Sequence, residues 1–196
     1  MDSKLQDLLS KLESFGTDND ATYQERPKRM LNITRDTGEL LSILIKSSKA
    51  KDILEIGTSN GYSTIWLADA AKTNNGHVTT IEFADYKANL ALANFIQADL
   101  NTYITLLNND AGLELTKFQD KQFDLIFLDS ERSEYVGWLG ELKRVLRVGG
   151  LLVVDNATSH AAEMQPLMNA LKADKDFSTS LVPIGNGEFI AYREHG

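Results

Sequence analysis

The sequence predicts an α/β fold: a mostly parallel seven-stranded sheet with helices on both faces and an antiparallel hairpin at its end. Three observations carry that prediction. Apolar runs of strand length alternate with stretches of helical period, the order that β-α-β units require. The run Asp52 to Ile56 breaks into the turn Gly57-Thr58-Ser59-Asn60-Gly61 and passes directly into helix-compatible sequence. Near the end, two strand-like runs are separated only by Ile184-Gly185-Asn186-Gly187, and Asn-Gly is a strong hairpin signal.

Taken in order, residues 1 to 30 read as an N-terminal helix and linker, and residues 31 to 196 as the main domain. Leu5, Leu8, Leu9 and Leu12 mark one face of a weakly amphipathic helix, and Gly16-Thr17-Asp18-Asn19-Asp20 reads as a flexible link. Strands are expected at Ile53 to Ile56, His77 to Glu82, Tyr103 to Leu107, Phe123 to Asp129 and Leu151 to Asp155. The hairpin strands follow near Ser178 to Pro183 and Glu188 to Arg193. Helical period is visible at roughly Ser63 to Lys72, Asp85 to Leu100, Ser133 to Leu146 and Ala161 to Ala173. Trp66, Phe95, Phe123 and Trp138 fall in buried or amphipathic runs and are expected in the core, while Glu141, Lys143 and Arg144 read as a solvated helix face.

Composition narrows the function classes. With 196 residues, 42% of them hydrophobic and 24% charged, the chain is long enough for one well-packed domain. A net charge of −8 without a Lys/Arg block argues against nonspecific binding to nucleic acid or an anionic membrane, both of which need a basic footprint. A small or cationic partner is easier to accommodate. The absence of cysteine excludes disulfides, zinc thiolate sites and thiol nucleophiles together. The start, Met1-Asp2-Ser3-Lys4, leads into a charged amphipathic segment, and no run of about 18 apolar residues occurs, so a soluble cytoplasmic protein is expected. No internal repeat or low-complexity tract is present.

In an open α/β sheet, ligands bind outside the carboxyl ends of the strands. The expected strands end in or near Glu55, Glu82, Asp129 and Asp155-Asn156. The turn after the first strand is read as a place where glycines let backbone N–H groups approach a small molecule. A dinucleotide fingerprint would require glycine where Ser59 and Tyr62 stand, which weighs against a nicotinamide-dependent oxidoreductase. Glu82, about two dozen residues past the turn, is placed to accept hydrogen bonds from ribose hydroxyls; its alternative is a solvated acid at a strand end. Asp129 with Asp155 and Asn156 forms a hard oxygen set suited to Mg²⁺, with Ca²⁺ or Mn²⁺ as substitutes. The alternative is that Asp129 caps a helix and Asp155-Asn156 merely begins a turn.

Glu55-Ile56-Gly57-Thr58-Ser59-Asn60-Gly61 resembles motif I of class I S-adenosylmethionine-dependent methyltransferases, whose fold is Rossmann-like. Together with Phe123 to Asp129, Tyr135, Gly149-Gly150, Val153-Val154-Asp155-Asn156 and Leu181 to Gly187, it resembles the cation-dependent O-methyltransferases, the catechol and caffeoyl-CoA O-methyltransferase family, over about Leu31 to Arg193. The resemblance implies that Glu55, Gly57, Thr58, Gly61, Ser63 and Glu82 hold S-adenosylmethionine. Ile33 and Phe83 would be apolar neighbours and Asp110-Ala111 would lie near the adenine. It implies that Asp129, Asp155 and Asn156 hold the divalent metal, most simply Mg²⁺, that Asp129 also lies near the methionine amino group, and that Asp129, Arg132 and Asn156 form the catalytic set. The acceptor would be a small hydroxylated molecule, catechol-like or phenolic, and a homodimer is an assembly the family uses.

Three departures qualify these expectations. Where the family carries a catalytic lysine this chain has Arg132, a guanidinium that stays protonated and is no general base. Either metal activation then suffices or His160 takes the proton; alternatively His160 is an exposed histidine at a helix start. After Asn156 the chain enters a helix almost directly, which opens the acceptor side and suits a bulkier acceptor, and Leu31 stands where catechol-type members have methionine. A catalytically weak S-adenosylmethionine-binding protein is the competing reading. Tyr135, one helical turn after Arg132, is placed to share its access to the crevice.

Overall fold

The computed structural model describes residues 1–195. The chain opens with α1 (Ser3–Thr22), a 3-10 turn (Arg26–Lys28) and α2 (Arg35–Ser48). It continues through β1 (Asp52–Ile56), α3 (Tyr62–Lys72), β2 (His77–Glu82), α4 (Asp85–Gln97), β3 (Ile104–Asn108) and α5 (Ala111–Leu115). The second half holds β4 (Phe123–Leu128), α6 (Tyr135–Val145), β5 (Leu146–Val154), α7 (Ala161–Ala173), β6 (Phe177–Val182) and β7 (Glu188–Arg193).

The strands form one sheet in the order β3-β2-β1-β4-β5-β7-β6. The first five are parallel neighbours, and β7 runs antiparallel to both β5 and β6. Strand order reverses between β1 and β4, so the carboxyl ends of these two strands flank the crevice where open α/β sheets take ligand.

Successive residues of the central strands face opposite layers. Ile53, Leu125, Phe127 and Val153 pack with α1, α2, α3 and α4 through Leu9, Leu41, Ile65 and Phe95. Leu54, Ile126, Leu128, Leu152 and Val154 pack with α6 and α7 through Leu142, Val145, Leu167 and Leu171. Burial on both faces is why these strands read as continuous apolar runs rather than as alternating ones.

Several boundaries differ from the sequence expectation. Gly16 to Asp20 is not a link but the end of α1. Its polar residues are acceptors: Asp20 takes the N–H groups of Met30 (2.6 Å) and Leu31 (2.9 Å), and Asn19 also takes that of Met30. Helix α2 carries few large apolar residues on its inner face, where Thr37, Gly38 and Ser42 are buried beside Leu41 and Ile45, so its stripe is thin. Gly38 lets it lie directly on the Trp66 ring. Strand β5 begins at Leu146, where the expected helix ended, and runs through Gly149-Gly150 to Val154 rather than starting at Leu151, and its pairing with β4 shifts register between Phe123 and Leu125. Among the described residues no helix is long and apolar enough to cross a membrane.

Candidate functional site

The crevice begins with Gly57, at φ +108°, where a Cβ would overlap the carbonyl oxygen of Asp129. Only glycine lets the ends of β1 and β4 approach this closely. Gly61 (φ +85°) starts α3 against the Phe95 ring. Four of the turn's N–H groups are taken within the protein. Those of Gly57 and Thr58 donate to Ile81 O (3.0 and 3.3 Å), that of Gly61 to Thr58 O (2.8 Å), and that of Ser59 to Glu82 Oε2 (2.8 Å). The turn is therefore braced against β2, and Ser59 Oγ also donates to Met30 O (2.6 Å), tying it to the segment after α1.

Glu55 is fully buried and accepts from Ser63 Oγ (2.5 Å), Thr80 Oγ1 (2.6 Å) and Thr64 Oγ1. Burial pushes its carboxyl up to about 7, against the downward pull of those three hydroxyls. Thr58 Oγ1 meets Thr80 Oγ1 at 2.5 Å, and Ile33 is buried in the core layer of α1 to α4. Glu55, Thr58 and Ile33, expected to hold or border the cofactor, are all buried, the two polar ones within this hydroxyl cluster. Ser63 is buried with them.

Glu82 does reach the surface of the crevice, its two oxygens taking the N–H groups of Ser59 and Ala84 (2.9 Å). Phe83 projects beside it with 76% of its surface exposed. Asn109 N–H donates to Glu82 O (3.1 Å), bringing the end of β3 alongside. There Asp110 caps α5 by accepting from Leu113 N–H (2.9 Å), and Ala111 opens that helix. Lys87 of α4 is attracted by Glu82, Asp20 and Asp129, although burial lowers its pKa overall.

On the other side, Asp129 N–H donates to Ile56 O (3.0 Å) and Asp155 N–H to Leu128 O (3.1 Å), which sets the ends of β1, β4 and β5 in step. Asn156 adopts φ +68°, a conformation asparagine tolerates better than most residues. Its Nδ2 donates to Asp155 Oδ2 (2.9 Å) and Asp129 Oδ1 (3.3 Å), and its Oδ1 accepts from Ser159 Oγ (3.2 Å). The expected trio therefore does come together. Burial raises the pKa of Asp129 well above the carboxylate range, reinforced by the charges of Asp155 and Glu55. Burial raises that of Asp155 as well.

Among the described residues, no three His, Cys, Asp or Glu side chains gather in an arrangement that could hold a metal ion. The donor set that does gather is two carboxylates and one amide, and its chemistry fits a hard cation. Asp155 Oδ1 is buried with no donor, and a half-turn of the Asn156 amide presents oxygen in place of NH₂ to both carboxylates.

Arg132, with little side-chain exposure, attracts both aspartates and pairs through Nε with Glu163 Oε2 at 2.8 Å. It neutralises charge at the crevice rim. Tyr135 does not share that rim: it is buried, and its hydroxyl accepts from Ser130 N–H (2.6 Å), bracing the loop after β4. His160 stands at the N-cap position of α7 without a side-chain capping bond, its Nδ1 2.9 Å from Ser159 Oγ. Only residues 157–160 separate Asn156 from that helix, as expected. Thr64, Thr80 and Glu188 were not anticipated. Threonines inside apolar runs and a glutamate opening an apolar strand are the signals that mark them.

A doubly wound sheet with a reversed β7, a glycine turn after β1 and acids at the ends of β2, β4 and β5 defines the Rossmann-like methyltransferase class of α/β proteins. Residues 7–194 match the model of the O-methyltransferase family, and the chain belongs to that family. A relative from Mycobacterium sp. (strain JLS) that bears an O-methyltransferase name is 30% identical over 175 residues, covering 83% of this chain and 79% of its own. Two solved structures share the fold. One is TomG of Streptomyces achromogenes, an O-methyltransferase involved in tomaymycin synthesis and solved with S-adenosylmethionine (TM-score 0.80, 23% identity, 100% of this chain and 91% of that one). The other is a Bacillus cereus O-methyltransferase in complex with S-adenosylhomocysteine (TM-score 0.80, 23% identity, 99% and 92%).

Proposed function

We propose that this O-methyltransferase uses S-adenosylmethionine as methyl donor and a divalent cation, Mg²⁺ in the simplest case, to methylate a small hydroxylated acceptor of catechol-like or phenolic type. The observation that carries the reading is the convergence of Asp129, Asp155 and Asn156 across the crevice from the glycine turn and Glu82. S-adenosylmethionine supplies the methyl group, and the cation lowers the pKa of the acceptor hydroxyl and orients it. Glu82 keeps lone pairs free for ribose hydroxyls, since each oxygen accepts one N–H. Phe83 offers an unpaired ring face for stacking. Asp129, Asp155 and Asn156 hold the cation, and Arg132, fixed to Glu163, offsets their charge without taking a proton. The short connection into α7 leaves the acceptor side uncovered, which also accommodates an acceptor bulkier than catechol.

A catalytically weak cofactor-binding protein is the second reading, favoured by the engagement of Arg132 with Glu163. Calorimetric titration with S-adenosylhomocysteine, with and without Mg²⁺, tests the cofactor, and a panel of catechols and phenols tests turnover. Binding near micromolar, about −8 kcal/mol, with metal-stimulated methyl transfer that Asp155→Ala abolishes, is the expected outcome. Binding without turnover on any acceptor would favour the second reading. No binding by the folded protein would overturn both.

A further inference from the structure

Arg132 opens the short 3-10 turn (Arg132–Glu134) in the loop that follows β4 and Asp129. Its Nε donates to Glu163 Oε2 at 2.8 Å, in the first turn of α7. Strands β4 and β5 are parallel neighbours, and α7 follows β5 through Asp155, Asn156 and residues 157–160. The side chain therefore reaches from the loop after one strand to the helix after the next, beside the strand ends that carry Asp129, Asp155 and Asn156.

Of the arginine and lysine side chains that form ion pairs, Arg132 is the most enclosed: 8% of it is exposed, against 29% or more for each of the others. A guanidinium carries its donors in a planar fork. Among the described residues only Nε of Arg132 has a partner, and Nη1 and Nη2 make neither a hydrogen bond nor an ion pair. Arg144, by contrast, uses every nitrogen, on Glu141, Asp120 and the carbonyls of Phe118 and Leu115. An arginine that serves only to join elements is saturated in this way. Enclosed donors left idle are costly until an oxygen reaches them.

The neighbouring segment adds charge of the same sign. The chain carries a net charge of −8, yet Arg26, Lys28 and Arg29 follow one another closely in the segment before α2. Arg26 Nη1 reaches Glu131 Oε2 (3.2 Å) and its Nη2 reaches Ser130 O (3.5 Å), the residues between Asp129 and Arg132. Arg29 Nε is buried without an acceptor. Positive charge gathered at one place on an acidic protein favours an anionic ligand there, and Asp129 and Asp155 are the acids that the cation of the preceding subsection offsets.

We propose that Arg132 is a specificity-determining residue that anchors a carboxylate on the acceptor, so that the acceptors are phenolic acids rather than neutral phenols. The two coplanar oxygens of a carboxylate match Nη1 and Nη2 together, which a lone hydroxyl or carbonyl oxygen does not. The inference rests on the acceptor reading of the preceding subsection and names its class: an aromatic ring whose hydroxyl faces Asp129, Asp155 and Asn156 and whose carboxylate meets Arg132. Glu163 restrains the guanidinium from the Nε side. Arg132 then orients the ring and takes no part in proton or methyl transfer.

The test is calorimetric titration of acceptors into the full chain saturated with S-adenosylhomocysteine and Mg²⁺, near neutral pH, where a benzoic acid is ionised. Catechol is compared with two dihydroxybenzoates, protocatechuate with its carboxylate removed from the hydroxyl pair and o-pyrocatechuate with it alongside. Wild type is expected to bind one of these acids about tenfold or more tightly than catechol, and Arg132→Gln to reduce that preference to within about threefold. Thermal melts verify folding, and if Arg132→Gln does not fold, Arg132→Met is measured in its place with the same expectation. A wild type that binds catechol as tightly as both acids would overturn the proposal and leave the acceptor reading standing. An acid preference that survives the loss of Arg132 would also overturn it, since the cation or another group would then select the carboxylate. A wild type that takes up S-adenosylhomocysteine but neither catechol nor either acid would overturn the acceptor reading and this inference with it.

Discussion

At the scale of single residues, the crevice is held by polar groups that ordinary strand sequence conceals. Glu55 was legible as an acid near the end of a strand, but its enclosure by Ser63, Thr64 and Thr80 was not, because those hydroxyls come from two other elements. Its carboxyl is raised from 4.5 to about 7 by burial, so the folded state holds a proton that the unfolded chain releases at lower pH. The contribution to stability is thus complete below the unfolded pKa and is lost as the pH rises through about 7. Glu55→Gln has no proton to lose. Its stability relative to wild type is expected to rise by roughly 2–3 kcal/mol between acidic and mildly alkaline pH, measured by urea denaturation at pH 5 and pH 8. A pH-independent difference would show that Glu55 keeps its ordinary titration. The aspartates of the crevice were easier to read, since each directly follows an apolar run, and the structure gathers them as that pattern implied.

At the scale of elements, legibility followed the width of the apolar stripe. The parallel strands and the closing hairpin announced themselves through continuous apolar runs and an Asn-Gly turn, whereas α2 did not, because small and polar residues make up much of its inner face. Helix α1 was recognised by its leucines but was given too short a span, since Asp18, Asn19 and Asp20 resemble a turn. Instead Asp20 orders the backbone at Met30 and Leu31, and Met30 in turn receives Ser59 of the glycine turn. Tyr62 adds a second tie, its hydroxyl donating to Glu13, which also pairs with Arg35 of α2 at 2.8 Å. The helix therefore belongs to the scaffold of the crevice. Leu9, fully buried in the layer of α1 to α4, should cost about 2–5 kcal/mol when replaced by alanine. A loss below about 0.5 kcal/mol in equilibrium urea unfolding would mean that α1 is only loosely docked.

At the scale of the whole molecule, both core layers share one sheet, and α1 packs in the same cluster as β1, β4 and β5. The described residues are accordingly expected to unfold in one cooperative step, with fluorescence and far-ultraviolet circular dichroism transitions that coincide. A separate early transition accompanied by proteolytic release of the first 30 or so residues would contradict this expectation. Fold class was readable at this scale because both faces of the sheet are covered, and the lateral order of the strands was not, because order is decided by crossovers rather than by composition. That order has a temporal side. Strand β6 precedes β7 in the chain, yet in the sheet it is attached only through β7, which lies between it and β5. During synthesis on the ribosome, β6 has no native edge to join until β7 has been made. The loop that follows Asp155 and Asn156 likewise waits for Asn186 and Gly187, whose carbonyls take the N–H groups of Ala157 and Thr158, so the molecule acquires its crevice late, after most of the sheet can already have formed.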